Sequence, residues 1–252
     1  MKLKQFTFFA LTFILMCPTT FGQESELPRS KDITITKSKP YQVVDAPRKN
    51  YFPTKDGDVF SVKVIGKKVV FQKFSGSNLN QEFSKDVIID VKGFEYQYVL
   101  NINDKLYFFY SLYDKANKSE QLFARKINTD NGSFDGKDQL LVKTDRKLDI
   151  TSGKFNIDIS NDEEAFVIKY RYLPLAANDS KNKDVIGMFA FTDDLELIWN
   201  NDFKMPYTES LMDNLDFSIG SDGTGYFLIR KYKEKVTRLN KEDASNQSYV
   251  IL

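Results

Sequence analysis

An alternating strand, a polar turn and an apolar strand recur three times in this chain at nearly constant spacing. Tyr96-x-Tyr98-x-Leu100 leads through Asn103 to Tyr107-Phe108-Phe109. Phe155-x-Ile157-x-Ile159 leads through Asp162 to Phe166-Val167-Ile168, and Leu215-x-Phe217-x-Ile219 leads through Asp222 to Tyr226-Phe227-Leu228. The copies are offset by 59 and then 60 residues, with no gap inside the motif. Alternation with period two marks half-buried strands, and a β-hairpin repeated at a fixed period implies a repeat architecture.

Each full copy continues in the same way. After Tyr110 come a polar loop over 114–119, a strand over 121–127, a turn at Asp130-Asn131-Gly132, and Phe134 beyond it. The next copy has a loop over 178–184, a strand over 185–191, a turn at Thr192-Asp193-Asp194 and a strand over 195–199. Four short antiparallel strands per copy is the composition of a propeller blade. The period exceeds the roughly 40–50 residues of common blades, and polar loops such as 174–184 supply the excess. No sustained helical periodicity competes with this reading. The expected fold is therefore all-β: an incomplete β-propeller-like array of four-stranded antiparallel blades over residues 51–252.

The two ends of the array differ from its middle. Phe60, Val62 and Val64 alternate with polar residues, and Val69 to Phe74 returns after a turn at Gly66. These form a partial first copy about 47 residues before the second. In the fourth copy, Asn246-Gln247-Ser248 stands where Asn117-Lys118-Ser119 and Asn182-Lys183-Asp184 stand earlier, and Tyr249 to Leu252 follows. An apolar strand left bare at an edge invites pairing. The preferred expectation is a truncated reading frame lacking further C-terminal blades, and the other is a strand-pairing partner at Tyr249 to Leu252.

The first residues read as an export signal. Lys2 and Lys4 precede an apolar stretch over 6–16, and Thr20-Phe21-Gly22 places small residues before a cut ahead of Gln23. The stretch is short of the roughly 20 residues that a membrane-spanning helix needs. Lipoprotein anchoring at Cys17 is disfavoured because Met16 is bulky where a small residue is expected. Residues 1–22 are thus a signal peptide, and 23–50 a polar leader, broken by Pro28, Pro40 and Pro47, with one short strand over 33–36. The expected location is periplasmic or secreted.

Removal of 1–22 takes away two lysines and the single Cys, leaving 34 basic against 35 acidic side chains and no His. Neither thiol nucleophiles nor His-dependent triads nor Cys/His zinc sites can then be built. The near-neutral charge offers no electrostatic footprint for nucleic acid. Carboxylates remain as the catalytic groups. Some propellers hydrolyse glycosides with acidic residues from different blades, and Asp158 and Asp216 occupy polar positions in successive alternating strands. Asp56 and Asp58 lie at the first hairpin. The competing reading makes all four solvent-facing or turn-forming residues, and it is preferred.

Other polar clusters read as turns. Asn128-Thr129-Asp130-Asn131-Gly132 and Asn161-Asp162-Glu163-Glu164 are rich in oxygen but do not match a calcium loop. Gly220-Ser221-Asp222-Gly223-Thr224-Gly225 precedes a strand instead of the helix that a phosphate loop requires. Lys231, Lys233 and Lys235 fit a solvated strand face better than a nucleic-acid groove. Asn117, Asn131, Asn178 and Asn246 begin N-x-Ser sequons, which mark exposed loops. Trp199 reads as an aromatic wedge between blades, or as a sugar platform. No metal, cofactor or membrane span is expected.

Ser160-Asn161-Asp162-Glu163-Glu164 and Gly220-Ser221-Asp222-Gly223 each sit between an alternating and an apolar strand. They resemble the S-P-D-G turn of TolB-type propeller repeats, without its proline. Asp184-Val185-Ile186-Gly187-Met188, with Lys204-Met205-Pro206-Tyr207-Thr208-Glu209, extends the likeness to exported bacterial propeller-like proteins of unknown function. The resemblance covers roughly residues 40–252. It implies export and a propeller-like fold, and supplies no catalytic residues. The functional expectation is an exported, non-catalytic protein that binds a ligand or partner protein through its loop face. The alternatives are a carboxylate-dependent glycan-active enzyme, or a fragment with no function alone.

Overall fold

Each apolar run sits in the middle of a sheet because it is buried on both faces. The computed structural model describes residues 37–151, 153–175, 181–237 and 240–252. The signal peptide expected over 1–22, the strand expected over 33–36 and the sequon at Asn178 lie outside them. The described strands form four antiparallel sheets in chain order. The first holds β1 (Arg48–Pro53), β2 (Val59–Ile65), β3 (Lys68–Phe74) and β4 (Gln81–Ile88). The second holds β5 (Glu95–Ile102), β6 (Lys105–Asp114), β7 (Ser119–Asn128) and β8 (Ser133–Lys143). The third holds β9 (Asn156–Ile159), β10 (Ala165–Arg171), β11 (Val185–Thr192) and β12 (Leu197–Lys204). The fourth holds β13 (Met212–Ile219), β14 (Gly225–Tyr232) and β15 (Gln247–Ile251). The fold is all-β, a propeller-like array of blades. No helix among the described residues is long and apolar enough to cross a membrane.

Three apolar clusters join neighbouring sheets, and strand alternation assigns residues to them. In β6, Leu106, Phe108 and Tyr110 pack toward Phe60, Val62 and Phe71 of the first sheet. Tyr107 and Phe109, one residue out of phase, pack with Phe155, Phe166, Ile168 and Tyr170 toward the third. In β10, Phe166, Ile168 and Tyr170 face the second sheet, while Ala165 and Val167 join Ile219, Phe227 and Ile229 of the fourth. A strand covered on both sides needs a continuous apolar run, which explains Tyr107-Phe108-Phe109 and Phe166-Val167-Ile168. None of the three clusters joins the fourth sheet to the first, so the array is open among the described residues.

Three details correct the sequence reading. The first copy is a full four-stranded sheet, because β1 pairs with Val59–Val64 of β2 and β4 pairs along β3. The last strand of the third sheet runs from Leu197 to Lys204, later and longer than 195–199. The repeats are also not gap-free. Ile102 pairs with Lys105 across Asn103-Asp104, both with positive φ, as a two-residue hairpin requires. Ser160 bonds Ala165 across four residues, and Gly220 bonds Thr224 across three. A slip of one residue reverses the face of every side chain. Phe108 faces the preceding sheet, whereas Val167, its counterpart at constant offset, faces the following one.

In the turns at Asp162 and Asp222 the Asp side chain accepts from the backbone N two residues on. Asp162 accepts from Ser160 Oγ at 2.6 Å and from Glu164 N at 3.3 Å, and Asp222 accepts from both the N and Oγ1 of Thr224 at 2.9 Å. Local side-chain bonds of this kind fold a turn without help from the core.

Candidate functional site

On β10 the residues facing the fourth sheet run Ala165, Val167, Lys169, Arg171. The first two complete an apolar cluster, and the last two place charges in the wedge between the third and fourth sheets. Asn156 opens β9, Arg171 closes β10, Asp184 directly precedes β11, and Met212 opens β13. Antiparallel order brings all of these to one end of the sheets. There they line a cavity of about 710 Å³ with Thr151, Ile186, Glu209, Asp213, Asn214, Asp216 and Phe217.

Arg171 organises the cavity floor. Its Nε donates to Asp184 Oδ1 at 2.9 Å, its Nη1 to Asp149 Oδ2 at 2.9 Å and its Nη2 to Glu209 Oε1 at 2.8 Å. Asn214 Nδ2 donates to the second oxygen of Asp184. One guanidinium thus serves three carboxylates, and the planar fork of Arg suits that role better than a Lys ammonium. Burial raises Asp149, but hydrogen bonds from Thr151 and the Arg171 charge outweigh it and hold Asp149 below its ordinary range. Burial pushes Glu209 up to about 7, the neighbouring Asp184 carboxylate adds to the rise, and Arg171 opposes both without cancelling them.

That rise makes stability depend on pH through Glu209. Below about pH 4.5 the carboxyl is protonated in both folded and unfolded chains, and its native contribution is complete. Between pH 4.5 and about 7 only the folded chain keeps the proton, so stability falls as pH rises. Glu209→Gln, which keeps the oxygen facing Arg171, is expected to remove this fall. Urea denaturation across pH 4.5–8 measures it, and an equal decline in variant and parent would contradict the assignment.

Lys169 is the second unusual group. Its Nζ lies 4.4 Å from the Phe217 ring centre and 5.5 Å from that of Phe227. It makes no ion pair with a carboxylate among the described residues. Burial lowers its pKa, with Asp216 opposing and Arg171 assisting. The amine is held over aromatic faces, where the ring quadrupoles partly replace the lost water.

Of the four carboxylates singled out from sequence, only Asp216 lines this cavity. Asp158 sits half-buried opposite Val167 in the β9–β10 pairing. Asp58 accepts from Gly76 N and pairs with Lys73 at 3.0 Å, a structural contact of the first hairpin. Asn128 bonds the backbone N of Asp130 and Asn131 within its own turn. Trp199 wedges between the third and fourth sheets, its Nε1 donating to Gly223 O at 2.7 Å. Sequence reasoning missed Lys169, Arg171, Asp184 and Glu209. The available signal was the interruption of an apolar run by Lys169 and Arg171, both on one face of β10.

No protein-family model matches this chain, and no curated protein matches it. Solved structures resemble it distantly. The Dos1 propeller is 12% identical with a TM-score of 0.42, covering 73% of this chain. An endo-arabinase from Bacteroides thetaiotaomicron VPI-5482 is 10% identical with a TM-score of 0.37, over 81% of this chain and 72% of that one. The β-propeller domain of the Trilobed protease from Pyrococcus furiosus is 7% identical with a TM-score of 0.36, over 82% of this chain and 55% of that one. The chain spans 41% of the Dos1 propeller chain, less than half its length. The propeller-like fold is defined by the sheet topology and the packing between sheets.

Proposed function

We propose that this chain is an exported propeller-like binding protein of the TolB-like kind, and that the wedge between its third and fourth sheets holds a saccharide. The observation that carries this reading is the lining of the cavity. Carboxylates, amides, a hydroxyl and an ammonium surround one phenyl ring, and the volume falls within the roughly 300–1,000 Å³ of ligand sites. A lining that mixes donors and acceptors suits a ring of hydroxyl groups, each of which both donates and accepts. Phe217 offers apolar surface to C–H groups of the sugar ring. The Arg171 network holds Asp184 and Glu209 in place before a ligand arrives, which lowers the ordering cost of binding.

Calorimetric titration of the folded protein against a panel of neutral and amino sugars tests this. Asp216→Asn and Lys169→Met are each expected to weaken binding about 10–100-fold, the loss of one hydrogen bond to a charged group. Saturable binding to no sugar on the panel would sink the proposal. So would unchanged affinity in both variants.

A second reading, glycan cleavage, is favoured by Glu209 alone. A carboxyl that keeps its proton to about pH 7 is poised as a general acid. It predicts hydrolysis of a panel glycan that Glu209→Gln abolishes while sugar binding persists. Hydrolysis that survives in this variant would reject Glu209 as the acid.

A further inference from the structure

A second cavity, of about 460 Å³, lies beside the wedge and has the opposite charge character. Arg146, Lys181, Lys183 and Lys204 line it, with Tyr172 and the apolar segment Leu173-Pro174-Leu175. Among the described residues Asp184 is the one carboxylate in the lining, and its two oxygens are already engaged by Arg171 and Asn214. It therefore does little to neutralise the four cations. Asp145 approaches Arg146 Nε only to 3.9 Å and is itself largely exposed. Asp202 is not in the lining, and it accepts from the hydroxyls of Tyr170 and Tyr172. Lys181 and Lys204 pair with no carboxylate among the described residues.

The cations are placed by structure as well as by sequence. The guanidinium of Arg146 lies 4.0 Å from the centre of the Tyr172 ring, and that ring is buried and tied by its hydroxyl to Asp202. Thr144 Oγ1 donates to Arg146 O at 2.9 Å, fixing the backbone below the side chain. A guanidinium stacked on a buried ring keeps its positive charge at the cavity wall, where it suits an oxyanion. Lys183 Nζ donates to Pro206 O at 2.6 Å, which secures that wall. Leu173 and Leu175 in the same lining are exposed, and their apolar surface fits the organic part of a ligand.

We propose that this cavity binds a phosphate monoester, its dianionic group against Arg146, Lys181 and Lys204 and its organic group against Leu173 and Leu175. Three cations lining one cavity suit a dianion better than they suit a single carboxylate. The proposal is independent of the sugar reading, since it concerns other residues and another ligand. Its source could be a soluble ester or a lipid phosphate, and the test separates them.

The native protein is titrated with glycerol phosphate, with acetate, and with phosphatidylcholine vesicles with and without phosphatidic acid. Saturable binding of glycerol phosphate that weakens with salt and exceeds acetate binding is expected. Lys181→Gln and Lys204→Gln, both exposed and unpaired, should keep the native thermal midpoint and each weaken the ester about tenfold. Arg146→Lys should weaken it further, because the fork is lost while the charge stays. Vesicle binding that requires phosphatidic acid, in addition to ester binding, would extend the site to lipid phosphate. No ester binding, equal binding of acetate, vesicle binding without ester binding, or unchanged affinity in both Lys variants would each overturn the proposal.

Discussion

Arg171→Leu is expected to destabilise the protein by about 3–5 kcal/mol at pH 7, the range for breaking a buried ion pair on one side. The reason lies in what the substitution leaves behind. Asp184 is buried and Asp149 and Glu209 nearly so, and all three lose the guanidinium that compensates them. Leu restores the volume of the stem but none of the donors, so three acceptors face one another. The carboxylates can relieve this by taking up protons, so the loss should shrink as pH falls toward 5. Urea denaturation of both proteins at pH 5 and pH 7 measures the difference. A loss below about 1 kcal/mol at pH 7, as for a surface pair, would show that water reaches the cluster and that Arg171 does not organise it.

Phe166→Ala is expected to cost a similar amount, about 3–5 kcal/mol, through a different term. Phe166 is fully buried between the second and third sheets. Its ring stacks on Phe191 at 5.4 Å and meets Phe109 edge-on at 6.2 Å. Removal of the ring opens a cavity at a junction where both sheets are already in register, so collapse is limited. Leu197→Ala, on the exposed outer strand of the same sheet, should change stability by no more than about 0.5 kcal/mol. Equal losses in the two variants would contradict the view that inter-sheet packing, and not strand propensity, holds the array together.

The strands themselves were legible in the sequence. Alternation located β2, β5 and β9, continuous apolar runs located β6 and β10, and Asp- or Gly-bearing turns separated them. Repetition then pointed to a series of blades. The register between copies was less legible. Hairpins of two, four and three residues look alike in one dimension when offsets near 60 hide them, yet each changes which face a side chain takes. The strand β1 was hidden because Arg48–Pro53 carries charges and a proline, and its place depends on pairing with β2.

The wedge shows where local reading ended. Lys169 and Arg171 are visible as charges closing an apolar strand, and their shared face follows from period two. What they meet does not. Asp149, Asp184 and Glu209 come from the connections into three different strands, and Phe217 and Phe227 come from the next sheet. The all-β character, the blade-like repeat and the local turns are encoded locally, because each depends on residues within a hairpin's reach. Which carboxylates share Arg171, how burial raises Glu209 and where Lys169 is buried follow from the packing of the sheets. Those properties depend on distance and desolvation between sheets, and chain order alone encodes neither.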